Sequence, residues 1–378
     1  MCHVCLEDYA RRKGIDPQTV LRWAQVGRLA GAHFDEGMWF IPAESEPPVR
    51  RNAKTFMPIW ADTHGRTTAE MIETIADDEE RGVAHATLLY FQANYVVCAR
   101  ESARYMKSDS IEIRAAALLV HSMASLALGN AEIVKADLQR MRKGMLEAED
   151  MQIAAMNDML RFLIDVFFHT EGEIKLFAPE LLPYLPEGTR LYAMYGVAHA
   201  EYLRGEYAVA LGEAKAAMLL GMDRYPIVNV YLALIASIAA FNMGDEHQAD
   251  AYFQKAWSIA QREHFMQPFV EHHGLLQGQI EKQLRDQDPE GYRTLAYKVI
   301  RFSRGWMKIH NPQSENKVTD QLQPHEFALA MLAARGKTNQ EIADYMHISI
   351  NTVKLHLSTI YQKVGVTSRK ALKEHLNL

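Results

Sequence analysis

The most constraining stretch of the chain lies near its carboxy terminus, LQPHEFALAMLAARGKTNQEIADYMHISINTVKLHLSTIYQKVGVTSRKAL, from Leu322 to Leu372. Thr338 and Glu341 have capping-box spacing, which predicts a helix from about Asn339. Gly336 closes the helix before it, and Pro324 suits a first helical turn. A short turn, His347 to Ser349, leads to Ser349 as the N-cap of the next helix. In that helix Val353, Leu357, Ile360 and Val364 form one apolar stripe. A different face carries Asn351, Lys354, Leu355, Ser358 and Gln362, with Lys354, Leu355 and Ser358 clustered on about a third of a turn. A lysine can reach guanine acceptors, a leucine the thymine methyl, and a serine either kind of base edge. A capped helix, a tight turn and a second helix with one buried and one contacting face form a helix-turn-helix, a unit that sets a reading helix in the DNA major groove.

The same residues resemble the LuxR-type (GerE) DNA-binding domain of bacterial transcription regulators. The match runs without gaps from Leu322 through Arg369. It takes in Leu322, Pro324 and Glu326, then Gly336, then Asn339, Glu341, Ile342 and Ala343. It continues through Ile348, Ser349, Thr352, Val353, Lys354, His356 and Ile360 to Lys363, Gly365, Val366 and Arg369. The resemblance implies a four-helix domain over residues 322–378 whose third helix enters the major groove of double-stranded DNA. It implies Lys354, Leu355 and Ser358 near bases and Thr352, His356 and Lys363 nearer phosphates. Asn351 and Arg369 complete the expected contact set. A last helix, from Ser368 to Leu376, would pair two copies into a homodimer. The chain departs from the family pattern at Gln323, Ala328 and the short Ser358, which bears on base preference rather than on the domain.

The net charge of −6 is unevenly spread. Residues 1–54 hold eight basic and seven acidic side chains, and residues 316–378 hold eight and five, leaving −10 in the middle. Phosphate contact suits the ends, and some other task suits the acidic centre.

Residues 1–43 form a second small module. A helix is expected from Leu6 to Lys13, stopped by Gly14. Asp16 caps a second helix that begins at Pro17 and ends before Gly27. Apolar runs at 32–34 and 38–41 flank Asp35-Glu36-Gly37, a hairpin signal. This order resembles excisionase and MerR-like winged helix-turn-helix modules, with Thr19, Val20, Arg22 and Trp23 in the helix and Gly37 to Pro42 in the wing. Gln18, Thr19 and Arg22 would face DNA. An acidic wing tip would repel phosphate, and the alternative is a docking module that binds no DNA. Cys2-His3-Val4-Cys5 lacks the second ligand pair of a zinc finger, so no metal is expected there.

Between the ends, residues 44–68 read as a linker, 69–306 as a helical array and 307–321 as a second linker. Within the array, Gly205-Glu206 followed by Ala210, Ala214 and Ala217 is repeated 39 residues later by Gly244-Asp245 followed by Ala249, Phe253 and Ala256. A fainter copy starts at Gly129-Asn130 and a degenerate one surrounds Gly172. The pattern resembles tetratricopeptide repeats and implies a mainly α fold, an α-solenoid with a small module at each end. The proline-containing stretch 177–188 interrupts it. Tyr192, Tyr195, Tyr202, Tyr207, Tyr225 and Tyr231 are read mostly as core. An unknown small molecule or protein is expected to act on the array.

No enzymatic or cofactor motif is found, neither a P-loop nor a G-x-S-x-G or H-E-x-x-H sequence, and no cofactor is expected. His199 and the pair His272-His273 read as isolated, solvated or locally bonded groups. Three cysteines argue for a reducing compartment. With no signal-like opening and no long apolar run, a cytoplasmic protein without a membrane role is expected. Two functional classes follow. One is a LuxR-type regulator whose array senses a ligand or partner. The other is a solenoid interaction scaffold whose terminal modules dimerise or dock without specific DNA binding.

Overall fold

The computed structural model describes residues 3–14, 17–25, 29, 31–35, 37–45, 56–146, 151–168, 177–310, 322, 324–346 and 348–375. They fall into two units, residues 1–53 and 54–378.

In the first unit β1 (His3–Cys5) leads into α1 (Leu6–Lys13) and α2 (Pro17–Gln25), followed by β2 (His33–Asp35) and β3 (Met38–Pro42). The two helices and the hairpin form where the sequence predicts them, while the expected cap Asp16 and stop Gly27 lie outside the described residues. Gly14 closes α1 at φ 67° and Gly37 turns the hairpin at φ 82°. The strand β1 is unannounced by its sequence. It pairs antiparallel with β3, His3 opposite Pro42 and Cys5 opposite Phe40, and makes β3 the centre of a three-stranded sheet. Leu6, Tyr9, Ala10, Val20, Ala24, Leu29 and Ile41 form the core. The Tyr9 hydroxyl donates to Ser45 O at 2.8 Å. Cys5 both ends β1 and stands as the N-cap of α1.

The second unit is built largely of antiparallel helix pairs. These are α3 (Thr68–Glu73), α4 (Asp78–Phe91), α5 (Tyr95–Ser102), α6 (Ile111–Ala127), α7 (Ala131–Leu146), α8 (Met151–Phe168), α9 (Glu187–Leu203), α10 (Tyr207–Gly221), α11 (Pro226–Asn242) and α12 (Glu246–Glu263). Then follow α13 (Gln267–His272), α14 (Gln279–Leu284) and α15 (Pro289–His310). A 3-10 turn, Pro179–Tyr184, stands at the proline-containing interruption. The degenerate repeat around Gly172 lies outside the described residues.

One turn recurs between paired helices. Gly205 and Gly244 adopt φ 84° and 83°. Each N–H bonds back three residues, to Tyr202 O and Phe241 O, and the next N–H bonds back five, from Glu206 to Glu201 O and from Asp245 to Ala240 O. This satisfies the carbonyls that a helix end leaves open. Gly129-Asn130 makes the same turn, and so does Ala93-Asn94 with alanine at φ 56°. The small residues predicted to permit close approach, Ala210, Ala214, Ala217, Ala249 and Ala256, are fully buried. Space around Gly205 is open to a Cβ, so Gly205→Ala isolates the backbone cost. It should lower stability by about 1 kcal/mol, seen as a lower urea midpoint; an unchanged midpoint contradicts a required left-handed residue.

Helix α11 is buried from Pro226 through Phe241 and contains no Asp, Glu, Lys or Arg. Its neighbours bring polar partners inward. Glu271 accepts from Tyr90 and Tyr231 hydroxyls, each at 2.5 Å, and from Gln267 Nε2 at 3.0 Å. Burial pushes its carboxyl above the ordinary range. His272 Nδ1 lies 2.7 Å from Pro268 O and must donate there, so Nε2 accepts from the Tyr195 hydroxyl at 2.8 Å. His199 Nδ1 lies 3.0 Å from the same hydroxyl, whose oxygen accepts its proton. His199 and His272 are therefore neither isolated nor solvated, as sequence separation had suggested; both are buried, and folding joins them through Tyr195. Tyr192, Tyr195, Tyr202, Tyr225 and Tyr231 are core, and Tyr207 is half-buried.

The boundaries expected for the array shift at both ends. Residues 56–68 belong to it rather than to a linker. Phe56, Met57, Ile59 and Trp60 are buried, and Trp60 stacks on Tyr192 at 4.3 Å. Thr63 N–H and its hydroxyl both donate to Arg224 O, at 3.0 and 3.2 Å, and Thr68 N–H donates to Glu263 Oε2 at 2.7 Å. At the far end α15 continues through His310, four residues beyond the expected limit at 306. Among the described residues no helix is long and apolar enough to cross a membrane.

On α14, burial pushes the Glu281 carboxyl up to about 7. An unfolded glutamate loses its proton near pH of about 4.3, so across that interval the folded chain binds the extra proton and stability falls as pH rises. Glu281→Gln should therefore gain little at pH 5 and about 2–3 kcal/mol more by pH 8, measured by urea unfolding. A gain independent of pH would contradict a buried titrating carboxyl.

Candidate nucleic-acid interface

The carboxy-terminal segment folds into four short helices, α16 (Pro324–Ala334), α17 (Asn339–Tyr345), α18 (Ile350–Val364) and α19 (Arg369–His375). The predicted capping box is formed. Glu341 N–H donates to Thr338 Oγ1 at 3.2 Å, and Thr338 N–H donates to Glu341 Oε2 at 2.7 Å. The Thr338 backbone N–H, then its side chain, hold the Glu341 carboxyl below its ordinary range. Ser349 caps α18 by accepting from Thr352 N–H at 3.0 Å, and Gly365 ends the helix at φ 71°. Val353, Leu357, Ile360 and Val364 are buried against the rest of the unit, as their spacing predicts.

The opposite face of α18 is left to solvent. Asn351, Lys354, Leu355 and Ser358 are exposed, while Thr352 and His356 are half-buried at its margin. Leu355 is 67% exposed. Water is a poor environment for a large apolar side chain, and a contact surface is the informative explanation where polar neighbours frame it. Lys354 makes no hydrogen bond or ion pair among the described residues, so its ammonium is available to an anion or a base edge. The face thus joins a cation, an apolar group and a hydroxyl on one rigid, capped element.

Two cations of the expected contact set, Lys363 and Arg369, make bonds inside the domain. The Lys363 ammonium donates to both Glu326 oxygens, at 2.8 and 2.6 Å, where the carboxylate is buried. The Arg369 guanidinium donates to Lys337 O and Asn339 Oδ1, tying α19 to the start of α17. Buried charge requires a partner, and for the buried Glu326 the half-exposed Lys363 supplies it. The family resemblance set these cations in the contact set, and the sequence did not reveal their partners 37 and 30 residues away.

His325, Glu326 and His356 bring ligand-type atoms within 4.8 Å of one another. The His325 and His356 rings meet edge to face at 5.1 Å. Burial, then the neighbouring His356, lowers the His325 pKa. With Lys363 on both carboxylate oxygens, an ion pair accounts for the burial of Glu326. At the other end of the chain, the side chains of Gln18, Thr19 and Arg22 lie outside the described residues. Their positions fall on α2, and the exposed Asp35 flanks the hairpin turn.

Residues 320–375 match the family model described as bacterial regulatory proteins, luxR family. Response regulator protein VraR of Staphylococcus aureus is 44% identical over 64 residues, 17% of this chain and 31% of that protein. The protein of the same name from Staphylococcus saprophyticus is 38% identical over 64 residues, again 31% of its length. The chain thus spans about a third of the curated relatives it matches. No solved structure matches it significantly. The terminal segment is a LuxR-family DNA-binding domain on these grounds.

Lys363→Ala should destabilise the second unit by about 2–3 kcal/mol by stranding Glu326, while the salt slope of DNA binding stays unchanged. A slope reduced by about one with stability intact would return Lys363 to the phosphates.

Proposed function

We propose that the chain is a bacterial, sequence-specific transcription regulator of LuxR type. The observation that carries this reading is the exposed trio Lys354, Leu355 and Ser358 on capped α18, inside the matched domain. Lys354, Leu355 and Ser358 read base edges, and Asn351, Thr352 and His356 lie along their margin toward the backbone. Two copies pair through α19, whose Lys370, Lys373 and Glu374 are exposed. A pair of reading helices about one helical turn apart then selects an inverted repeat.

The acidic central region acts as a tetratricopeptide-like sensor for a small molecule or a protein. The repeated glycine turns and buried alanines support the repeat reading. The amino-terminal helix–helix–hairpin unit is read as a winged helix-turn-helix that adds contacts to DNA or protein. The reading assigns the chain no catalytic step, and its place of action is the cytoplasm.

The charge of −10 between residues 55 and 315 favours a second reading, an interaction scaffold with little DNA affinity. Salt separates the two, since phosphate contacts give affinity that falls steeply with salt. Lys354→Ala should weaken specific binding by about 1–3 kcal/mol, measured by fluorescence anisotropy with the full chain. Equal affinity for parent and variant would show that α18 is not the reading helix.

A further inference from the structure

The start of α16 and the middle of α18 bring two imidazoles and a carboxylate together. His325 and Glu326 lie in the first turn of α16, and His356 stands on α18 between the exposed Leu355 and the buried Leu357. Their ligand-type atoms lie within 4.8 Å of one another. Glu326 is buried, and both histidines are half-buried. Among the described residues neither imidazole makes a hydrogen bond or an ion pair; their contact is with each other, edge to face. Half-buried ring nitrogens ordinarily find polar partners. Glu326 is already held by Lys363, so the ion pair does not explain why two histidines stand beside it.

The chemistry of the set is that of a borderline divalent metal. Neutral imidazole binds zinc, copper and nickel, and two histidines with one carboxylate leave a coordination position open. Zinc holds nitrogen at about 2.0–2.1 Å, so its tetrahedral ligand atoms stand about 3.3 Å apart. Rotation of the two imidazoles can draw the set inward to that spacing. The carboxylate is shared with Lys363, which bonds both its oxygens. A carboxylate accepts along about four lone-pair directions, so these two bonds do not exhaust it. Lys363 and Arg285 are the cations facing His325. They weaken the hold on a dication, which suits a site that fills and empties with metal supply. Glu326 and His356 are among the residues shared with LuxR-type domains, whereas His325 is not, so this third ligand is a feature of this chain.

We propose that His325, Glu326 and His356 form a site for a divalent transition-metal ion, typified by Zn2+, which pins α18 to α16 and strengthens DNA binding. The site stands by itself; its effect on DNA rests on the reading function given above. A bound cation is often the largest charge in its neighbourhood. His356 lies at the margin of the reading face, on the side assigned to the backbone, so a dication there adds to phosphate attraction.

The test uses the full chain without an affinity tag, with Cys2 and Cys5 replaced by serine. Co2+ is the probe, because its visible absorption reports the donor atoms around it. The parent should gain a visible band over the first equivalent. His325→Gln and His356→Gln should each bind cobalt about tenfold or more weakly, with the metal-free urea midpoint showing that both are folded. His325→Cys should keep the ion and add a thiolate-to-cobalt charge-transfer band in the near ultraviolet, which a merely structural histidine does not predict. No cobalt band in the parent, or equal bands in the parent and both glutamine variants, overturns the site. With Zn2+ in place of cobalt, the parent should bind its tightest genomic fragment about threefold or more tightly than without metal, and lose affinity more steeply with salt. His325→Gln should show neither change. Unchanged affinity in a chain that holds the ion overturns the effect on DNA. If no form binds DNA at any metal level, the DNA reading fails, and the cobalt spectra still decide the site.

Discussion

Complete burial of α11 is the constraint around which the second unit is arranged. A helix without a formal charge from Pro226 to Asn242 must be covered on every side. Helices α9, α10, α12 and α13 supply the cover. Each large aliphatic residue so buried contributes roughly 1.5–3 kcal/mol. The polar groups that accompany it are satisfied by specific partners rather than by water. Ser237 reaches Ala249 O at 2.8 Å and Gln279 at 2.6 Å, and Tyr231 donates to Glu271. The same helix ends in Phe241 and Asn242, which touch Tyr345 and Arg335 of the DNA-binding segment. The helix that organises the array is thus also the one that meets the reading head.

This continuity gives a physical route between the two halves of the proposed regulator. The array is packed through its centre by Tyr90, Tyr192, Tyr195 and Tyr231, with Glu271 and His272 between them. Close-packed interiors move as units rather than by local give. The end of α11 touches Arg335 and Tyr345, the latter closing the helix that precedes α18.

Local signals were legible in the sequence, and long-range partners were not. The Thr338–Glu341 box, the Ser349 cap and the stripe from Val353 to Val364 are all spaced within a few residues, and each forms as predicted. The glycine–acidic turns at 205 and 244 were equally plain because left-handed backbone favours glycine. The same turn at Ala93 carried no such mark. The buried segment 56–60 was hidden in a stretch whose prolines and arginines suggested a linker, though the cluster Phe56, Met57, Ile59 and Trp60 was a signal that something covers it. The ion pair of Lys363 and the bonds of Arg369 were not legible because their carboxylate and amide partners lie some thirty residues away in sequence. Nothing in the terminal domain alone indicated that Tyr345 would be received by Phe241 and Lys282, since half of that niche is built by another part of the chain.

The account stands most directly on whether the folded chain chooses DNA by sequence. Purified full-length protein would be mixed with fragmented DNA from its own source at moderate salt, and the retained fragments sequenced. The account predicts a few enriched sites that share an inverted repeat and are lost with Lys354→Ala. Uniform retention, or a set of sites that survives that substitution unchanged, would contradict it.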